Sequence, residues 1–168
     1  MINILLQLVG FVAAIALLVL PRPALAQATK YYDPPASYSN AMLMGKDFSG
    51  QTFHAAEFSN ANLHSTDFSD ADLRGSVFSA SVMTEANLHS ANLSYGMADQ
   101  VDFTRADLSD AIFEETLFLV STFEDTNITG ADFTNAIFDG AQIKELCAKA
   151  TGVNSQTGVS TSESLGCS

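Results

Sequence analysis

From Leu43 to Ile143 every fifth residue is large and apolar, with Ala98 the one exception in 21 positions. Two residues before each of these centres stands Ala, Ser, Thr or Gly in 18 of the 21 cases, with Lys46, Gln51 and Val101 departing from the rule. A helix repeats its faces every ~3.6 residues and a strand every ~2, so neither accommodates a strict period of five. The chain must instead turn a corner every five residues. Repetition on this scale sets the architecture before any other consideration, and it speaks of shape far more than of chemistry.

The units read as Ala61-Asn62-Leu63-His64-Ser65, Ala71-Asp72-Leu73-Arg74-Gly75, Ala91-Asn92-Leu93 and Ala106-Asp107-Leu108. The chain resembles the pentapeptide-repeat family, whose consensus is A(D/N)LXX. That resemblance implies an all-β fold, a right-handed quadrilateral parallel β-helix with four pentads to each square coil. In a narrow square coil the centre residue fills the axis. The residue two before it lies close to the wall, where only a small side chain fits. The other three face outward and are mostly Ser, Thr, Asp, Asn, Glu and Gly. Coils stack at strand spacing, roughly 4.8 Å, so five of them make a rod of about 24 Å. Such a stack is quasi-one-dimensional and needs caps at both ends.

Residues 1–26 lie outside the repeat. Ile4 to Leu20 is apolar apart from Gln7 and Gly10, and Ala24-Leu25-Ala26 follows. This is an apolar h-region with an A-x-A site, and it predicts a signal peptide cut after Ala26. No Lys or Arg precedes the h-region, and the stretch is long enough to span a bilayer, so an uncleaved anchor is the alternative. Both readings export the repeat domain. Residues 27–40 are expected to be a linker and N-terminal cap, residues 41–145 the β-helix, and residues 146–168 a C-terminal cap.

Cys147 and Cys167 are the only cysteines, and both follow the last coil. An even count in an exported chain argues for a disulfide over two free thiols. Leu146-Cys147, Gly152-Val153-Asn154, Thr157-Gly158, Thr161 and Ser164-Leu165-Gly166-Cys167 resemble the C-terminal segment of the thylakoid-lumenal pentapeptide-repeat proteins of cyanobacteria and chloroplasts. That resemblance implies a short helical cap clamped by the disulfide, in a thylakoid lumen or a periplasm. The residues agree: Gln142 to Ala150 favours helix and ends before Gly152, with Ile143 and Leu146 on one face to plug the coil.

The charge is −12, and without residues 1–26 there are 19 acids against six Lys plus Arg. This argues against nucleic acid or an anionic membrane surface as a partner of the mature domain. One functional class of the resembled family is an acidic mimic of duplex DNA that binds a type II topoisomerase. It is the main alternative, although export would keep this chain from the chromosome. Outward carboxylates also keep a stacked β-rod soluble and monomeric.

The coil geometry tests for catalytic sites. Residues 20 apart share a face, so His54, His64 and His89 lie on three different faces and cannot form one metal site or one acid–base pair. No phosphate loop, metal-ligand spacing or nucleophile–His–acid arrangement is present, and no cofactor is implied. The chain is therefore expected not to be an enzyme. One outward column does stand out. The residue before the centre is usually Asp or Asn, but on one face the run is Val77, Met97, Leu117 and Ile137. Leu119 and Val120 add to it, with Glu114, Glu115, Glu124 and Asp125 on the adjoining faces. An apolar stripe with an acidic rim suits an interaction surface. The expectation is a non-catalytic scaffold or interaction module with a protein partner; a lumenal binding protein switched by the redox state of Cys147 and Cys167 is a further alternative. Ala98 lies within this face, and its missing bulk is expected to be filled by Met97 turning inward or by a bulge at Tyr95-Gly96-Met97.

Overall fold

The computed structural model describes residues 35–167. The signal-peptide and linker assignments up to residue 34 lie outside the described residues. Among those described, no helix is long and apolar enough to cross a membrane.

Parallel bridges join residue i to residue i+20 without a slip, from Ser37↔Glu57 to Leu117↔Ile137. Four pentads therefore make one coil, and the coil has four faces. Face 1 holds the centres Tyr38, Phe58, Phe78, Ala98, Phe118 and Phe138. Face 2 runs Leu43 to Phe123, face 3 Phe48 to Ile128, and face 4 Phe53 to Phe133. The centres of the inner coils are buried, with Phe58, Phe68, Phe78, Phe103, Phe113 and Phe118 fully enclosed.

The corners explain the period. From Tyr38 to Phe133 every centre carbonyl but that of Ala98 accepts the N–H three residues on, as in Ala61 to Phe58 at 3.1 Å and Thr66 to Leu63 at 3.1 Å; the Val101 N–H donates instead to Ser121 Oγ at 2.9 Å. The residue two after each centre has a positive φ at 20 successive pentads, Asn40 to Asn135, between 53° and 74°. A positive φ at the second central position is the signature of a type II turn. Only four of the 20 are glycine, so the stack holds ordinary residues in a region that disfavours them.

Outward Asp and Asn close the same corner. The side chain before the centre accepts the N–H of the residue after it, as in Ser69 to Asp67 at 2.9 Å, His89 to Asn87 at 3.0 Å and Ser109 to Asp107 at 2.9 Å. This local side-chain bond suits Asp and Asn to turns. Between coils, Asn87 Nδ2 donates to Asp67 at 3.1 Å and Asn127 Nδ2 to Asp107 at 3.0 Å. From Asp67 onward this column alternates carboxylate and amide, which avoids stacking like charges one strand spacing apart; Asp47 and Asp67 at its start are both carboxylates. Inward Ser and Thr are satisfied as well: the hydroxyls of Thr66, Ser81 and Thr126 donate to the carbonyls of Leu43, Phe58 and Phe103 in the coil before, at 3.0, 2.6 and 2.8 Å.

The ends of the repeat differ from the sequence expectation. Tyr38 is a centre residue: its ring stacks on Phe58 at 4.9 Å and 11°, so the coil already includes Ala36-Ser37-Tyr38, ahead of the expected start at residue 41. At the other end Ile143 keeps the five-residue register but lies in the helix that the run from Gln142 predicts, so the coil stops short of residue 145. Helix α1 spans Gly140–Cys147, and the last centre is Phe138. Asp139 caps α1 by accepting from Ala141 and Gln142 at 3.0 and 2.9 Å, while Gln142 Oε1 accepts from the Asp139 N–H at 2.7 Å. That capping box redirects the chain. Leu146 of α1 is fully buried against the last coil and Ile143 packs beside it. A second helix, α2, spans Thr161–Ser164. Cys147 and Cys167 form a disulfide that joins α1 to the tail.

Neither expectation for Ala98 holds. Met97 faces outward, and its bridges to Val77 and Leu117 stay in register. Tyr38, Phe58 and Phe78 stack at 4.9 and 4.8 Å, and Phe118 and Phe138 stack at 5.0 Å, so Ala98 separates two aromatic runs. Gly96 is what the site requires: a Cβ there lies 2.8 Å from the Leu93 carbonyl oxygen and 3.0 Å from both Leu93 Cγ and the Ser76 carbonyl oxygen. Two of these neighbours are backbone and cannot swing aside. Gly96→Ala is accordingly expected to destabilise by about 1–3 kcal/mol, the usual cost of overpacking, read as a lower urea midpoint at unchanged m-value.

Candidate functional site

The structure gathers the predicted apolar residues onto face 1. Val77, Met97, Leu117 and Ile137 form one continuous ladder of bridges. Val77 and Leu117 are half-buried, while Met97 and Ile137 are 44% and 53% exposed; Leu119 and Val120, at the corner beyond Phe118, are 38% and 71% exposed. A ladder of apolar pairs supports the stack. It also gives something up, because none of these four side chains can accept the N–H that Asp or Asn accepts elsewhere. Met42 and Val82 on face 2 and Ile112 on face 4 share this trait, never in two successive coils, and Ile112 is buried. Only face 1 repeats it over four coils.

Val120 is the strained member. It sits at φ 64°, a region that β-branched residues rarely enter. Val120→Gly relieves that strain and sacrifices little burial. Its expected gain is about 0.5–1 kcal/mol after the extra chain entropy of glycine is deducted. A higher urea midpoint checks it, and an unchanged one removes the strain.

The histidines stay on separate faces, and each meets a partner one coil away. His54 Nε2 lies 2.6 Å from Asp72 Oδ2, and Arg74 Nη2 lies 2.7 Å from the same oxygen. The Arg74 guanidinium, joined by His54, holds the Asp72 carboxyl far below the usual carboxylate range. His64 pairs with Thr84 at 2.8 Å and lies 4.0 Å from Glu85, which Arg105 bonds at 2.8 Å and so keeps ionised to lower pH. His89 pairs with Ser109 at 2.9 Å. Both ion-paired clusters lie on the exposed surface and join neighbouring coils. Among the described residues no group of three His, Cys, Asp or Glu is arranged to hold a metal ion.

A groove of about 540 Å³ lies beside Val120, between residues Val120 to Glu124 and the cap residues Asp139, Ala141, Gln142 and Glu145. The sequence reading missed it, because it depends on where the repeat stops. Asp139-x-x-Gln142, a capping-box pattern, is the signal that reveals that point.

The described residues thus define a stacked square-coil β-helix whose outward side chains build ladders from coil to coil. The pentapeptide repeat region profile matches residues 51–119, and the pentapeptide repeats (8 copies) profile matches residues 102–140 and 121–147. A solved pentapeptide repeat protein from the Arabidopsis thaliana thylakoid lumen is similar at 35% identity and a TM-score of 0.76, over 77% of this chain and 90% of that one. A Nostoc pentapeptide repeat protein, 18% identical with a TM-score of 0.51 over 62% of this chain and 86% of that one, shares the fold. The chain belongs to the pentapeptide-repeat family, and its coil is the right-handed quadrilateral β-helix of that family. It is also similar to the chloroplastic thylakoid lumenal protein TL20.3 of Arabidopsis thaliana, 55% identical over 40 residues. That match spans 24% of this chain and 14% of the relative's length.

Proposed function

We propose that this chain is a non-catalytic protein-interaction module of the thylakoid lumen, and that face 1 is its docking surface. The observation that carries the reading is the ladder Val77, Met97, Leu117 and Ile137. It places apolar side chains where the repeat elsewhere places Asp or Asn. Selection for turn stability alone favours the polar residue, because Asp or Asn closes the corner with a hydrogen bond. Four departures on one face, continued by exposed Leu119 and Val120, fit a surface shaped by a partner. The similar solved protein from a thylakoid lumen supports the compartment, as does the disulfide, which requires an oxidising one.

The test is co-purification from native lumen and membranes, with tagged wild type set against the Leu117→Asp/Leu119→Asp variant. A partner retained by wild type and lost by the variant is expected. Identical sets from both proteins, or an empty set from wild type, with the variant still folded, overturn the reading.

A further inference from the structure

The C-terminal edge of face 2 is an unfinished strand edge. In the inner coils a centre residue and the residue two after it donate their N–H groups to carbonyls of the next coil. On face 2 Leu63 donates to Val82 at 2.8 Å and Ser65 to Thr84 at 2.9 Å; one coil before the end, Phe103 donates to Thr122 at 3.0 Å and Arg105 to Glu124 at 2.8 Å. The next pair of donors is Phe123 and Asp125, but the coil that should receive them has become α1. Among the described residues neither N–H has an acceptor, and nor does that of Val120.

The cap treats this edge unevenly. Gln142 Nε2 donates to the carbonyls of Phe118 and Ser121, both at 2.7 Å, and Lys149 Nζ donates to that of Phe123 at 2.6 Å. The cap gives acceptors to the amides of Gly130 and Phe133 on the other faces, but at the face-2 edge its described residues supply donors to the carbonyls and no acceptor to the amides of Phe123 and Asp125. The groove of about 540 Å³ lies along this edge, where a sixth strand would run.

We propose that the groove takes an extended basic segment of a partner protein, added to face 2 as one more strand. This rests on the interaction-module reading and names the chemistry of the partner. Unpaired strand amides select carbonyl oxygens. Free anions are disfavoured, because Glu124, Asp139 and Glu145 border the groove and only Glu145 is offset, by Lys149 at 3.7 Å. The acceptor that remains is a neutral peptide backbone. Two of its carbonyls, two residues apart, meet Phe123 and Asp125. An apolar side chain packs on Val120, and Lys or Arg side chains face the carboxylates, which steer the approach.

The probe is the blocked peptide Lys-Val-Lys-Val-Lys-Val, titrated into the 15N-labelled protein, with Glu-Val-Glu-Val-Glu-Val as control. The largest amide shifts are expected at Val120, Phe123 and Asp125, with slowed hydrogen exchange at the last two. The control peptide is expected to leave them unchanged. Affinity is expected to fall roughly tenfold in Glu124→Lys/Glu145→Lys, whose resonances away from the cap report an intact fold, and to weaken with added salt. Shifts spread over all the acidic faces, equal affinity in the variant, or no binding overturn the proposal. The capture experiment on Leu117→Asp/Leu119→Asp reports on face 1 alone. A partner lost there beside a failed titration removes the groove and keeps the module.

Discussion

Phe118→Ala is expected to destabilise the protein by about 3–5 kcal/mol, the range for deleting a buried aromatic. Phe118 is fully buried. Its ring stacks on Phe138 at 5.0 Å and meets Phe113, Phe123 and Phe103 edge-on at 5.3, 5.6 and 6.0 Å. The residue below it on face 1 is Ala98, so the substitution leaves two successive coils without a ring on that face. The walls are hydrogen-bonded to both neighbouring coils and cannot collapse inward, which places the cost high in the range. In a solenoid, stability is carried by interfaces between neighbours. The gap is therefore expected to uncouple the last coil and cap from the coils before Ala98. Urea unfolding of the variant should show a lower midpoint and a shallower or two-step transition. Phe48→Ala should cost less, because Phe48 is only half-buried, in the first described coil. A loss below about 1.5 kcal/mol for Phe118→Ala with a single sharp transition contradicts this account of the core.

The second large effect is at the cap. Replacing Cys147 and Cys167 together by serine is expected to cost about 3 kcal/mol, the chain-entropy contribution of a bridge across 20 residues. The bridge holds the tail, from which Asn154 Nδ2 donates to the Asp110 carbonyl at 2.9 Å and Ser164 Oγ accepts from the Phe133 N–H at 3.0 Å. The Gly130 N–H likewise donates to Thr151 at 2.8 Å. These contacts finish the open end of the stack, so their loss is expected to be local. Hydrogen exchange should speed up at Gly130 and Phe133 and stay slow at Phe58 and Phe78. Equal acceleration along the whole coil means that the cap stabilises the fold globally rather than sealing one end. If the bridge were a binding switch, mild reduction would release a partner while the coil signals persisted.

The five-residue period made the coil legible, because an axis this narrow admits one large side chain per corner and a small one beside it. The twenty-residue stacking followed, and with it the separation of the three histidines and the gathering of Val77, Met97, Leu117 and Ile137 onto one face. Tyr38 went unread because a polar-tipped aromatic at the edge of a Pro- and Tyr-rich stretch does not announce a centre position. Ile143 keeps the period and so stretched the expected coil to residue 145, although the helix-favouring run from Gln142 already placed it in the cap, where the structure has it. At Ala98 the sequence showed missing bulk but not the response; the structure leaves Met97 outside and keeps the register, since a bulge there would break bonds to both adjoining coils.

By itself, then, the sequence determined the repeat, its inward and outward positions and the residues that share a face, because these depend only on spacing along one chain. The tertiary structure alone decided where the coil gives way to α1, which ordinary residues are held at positive φ, and which strand amides stay unpaired, among the described residues, beside α1. Those outcomes arise from competition at the ends of the stack. At the C-terminal end, one more coil was weighed against a capped helix that could reach the last carbonyls with Gln142 and Lys149, and the helix left the amides of Phe123 and Asp125 without acceptors among the described residues.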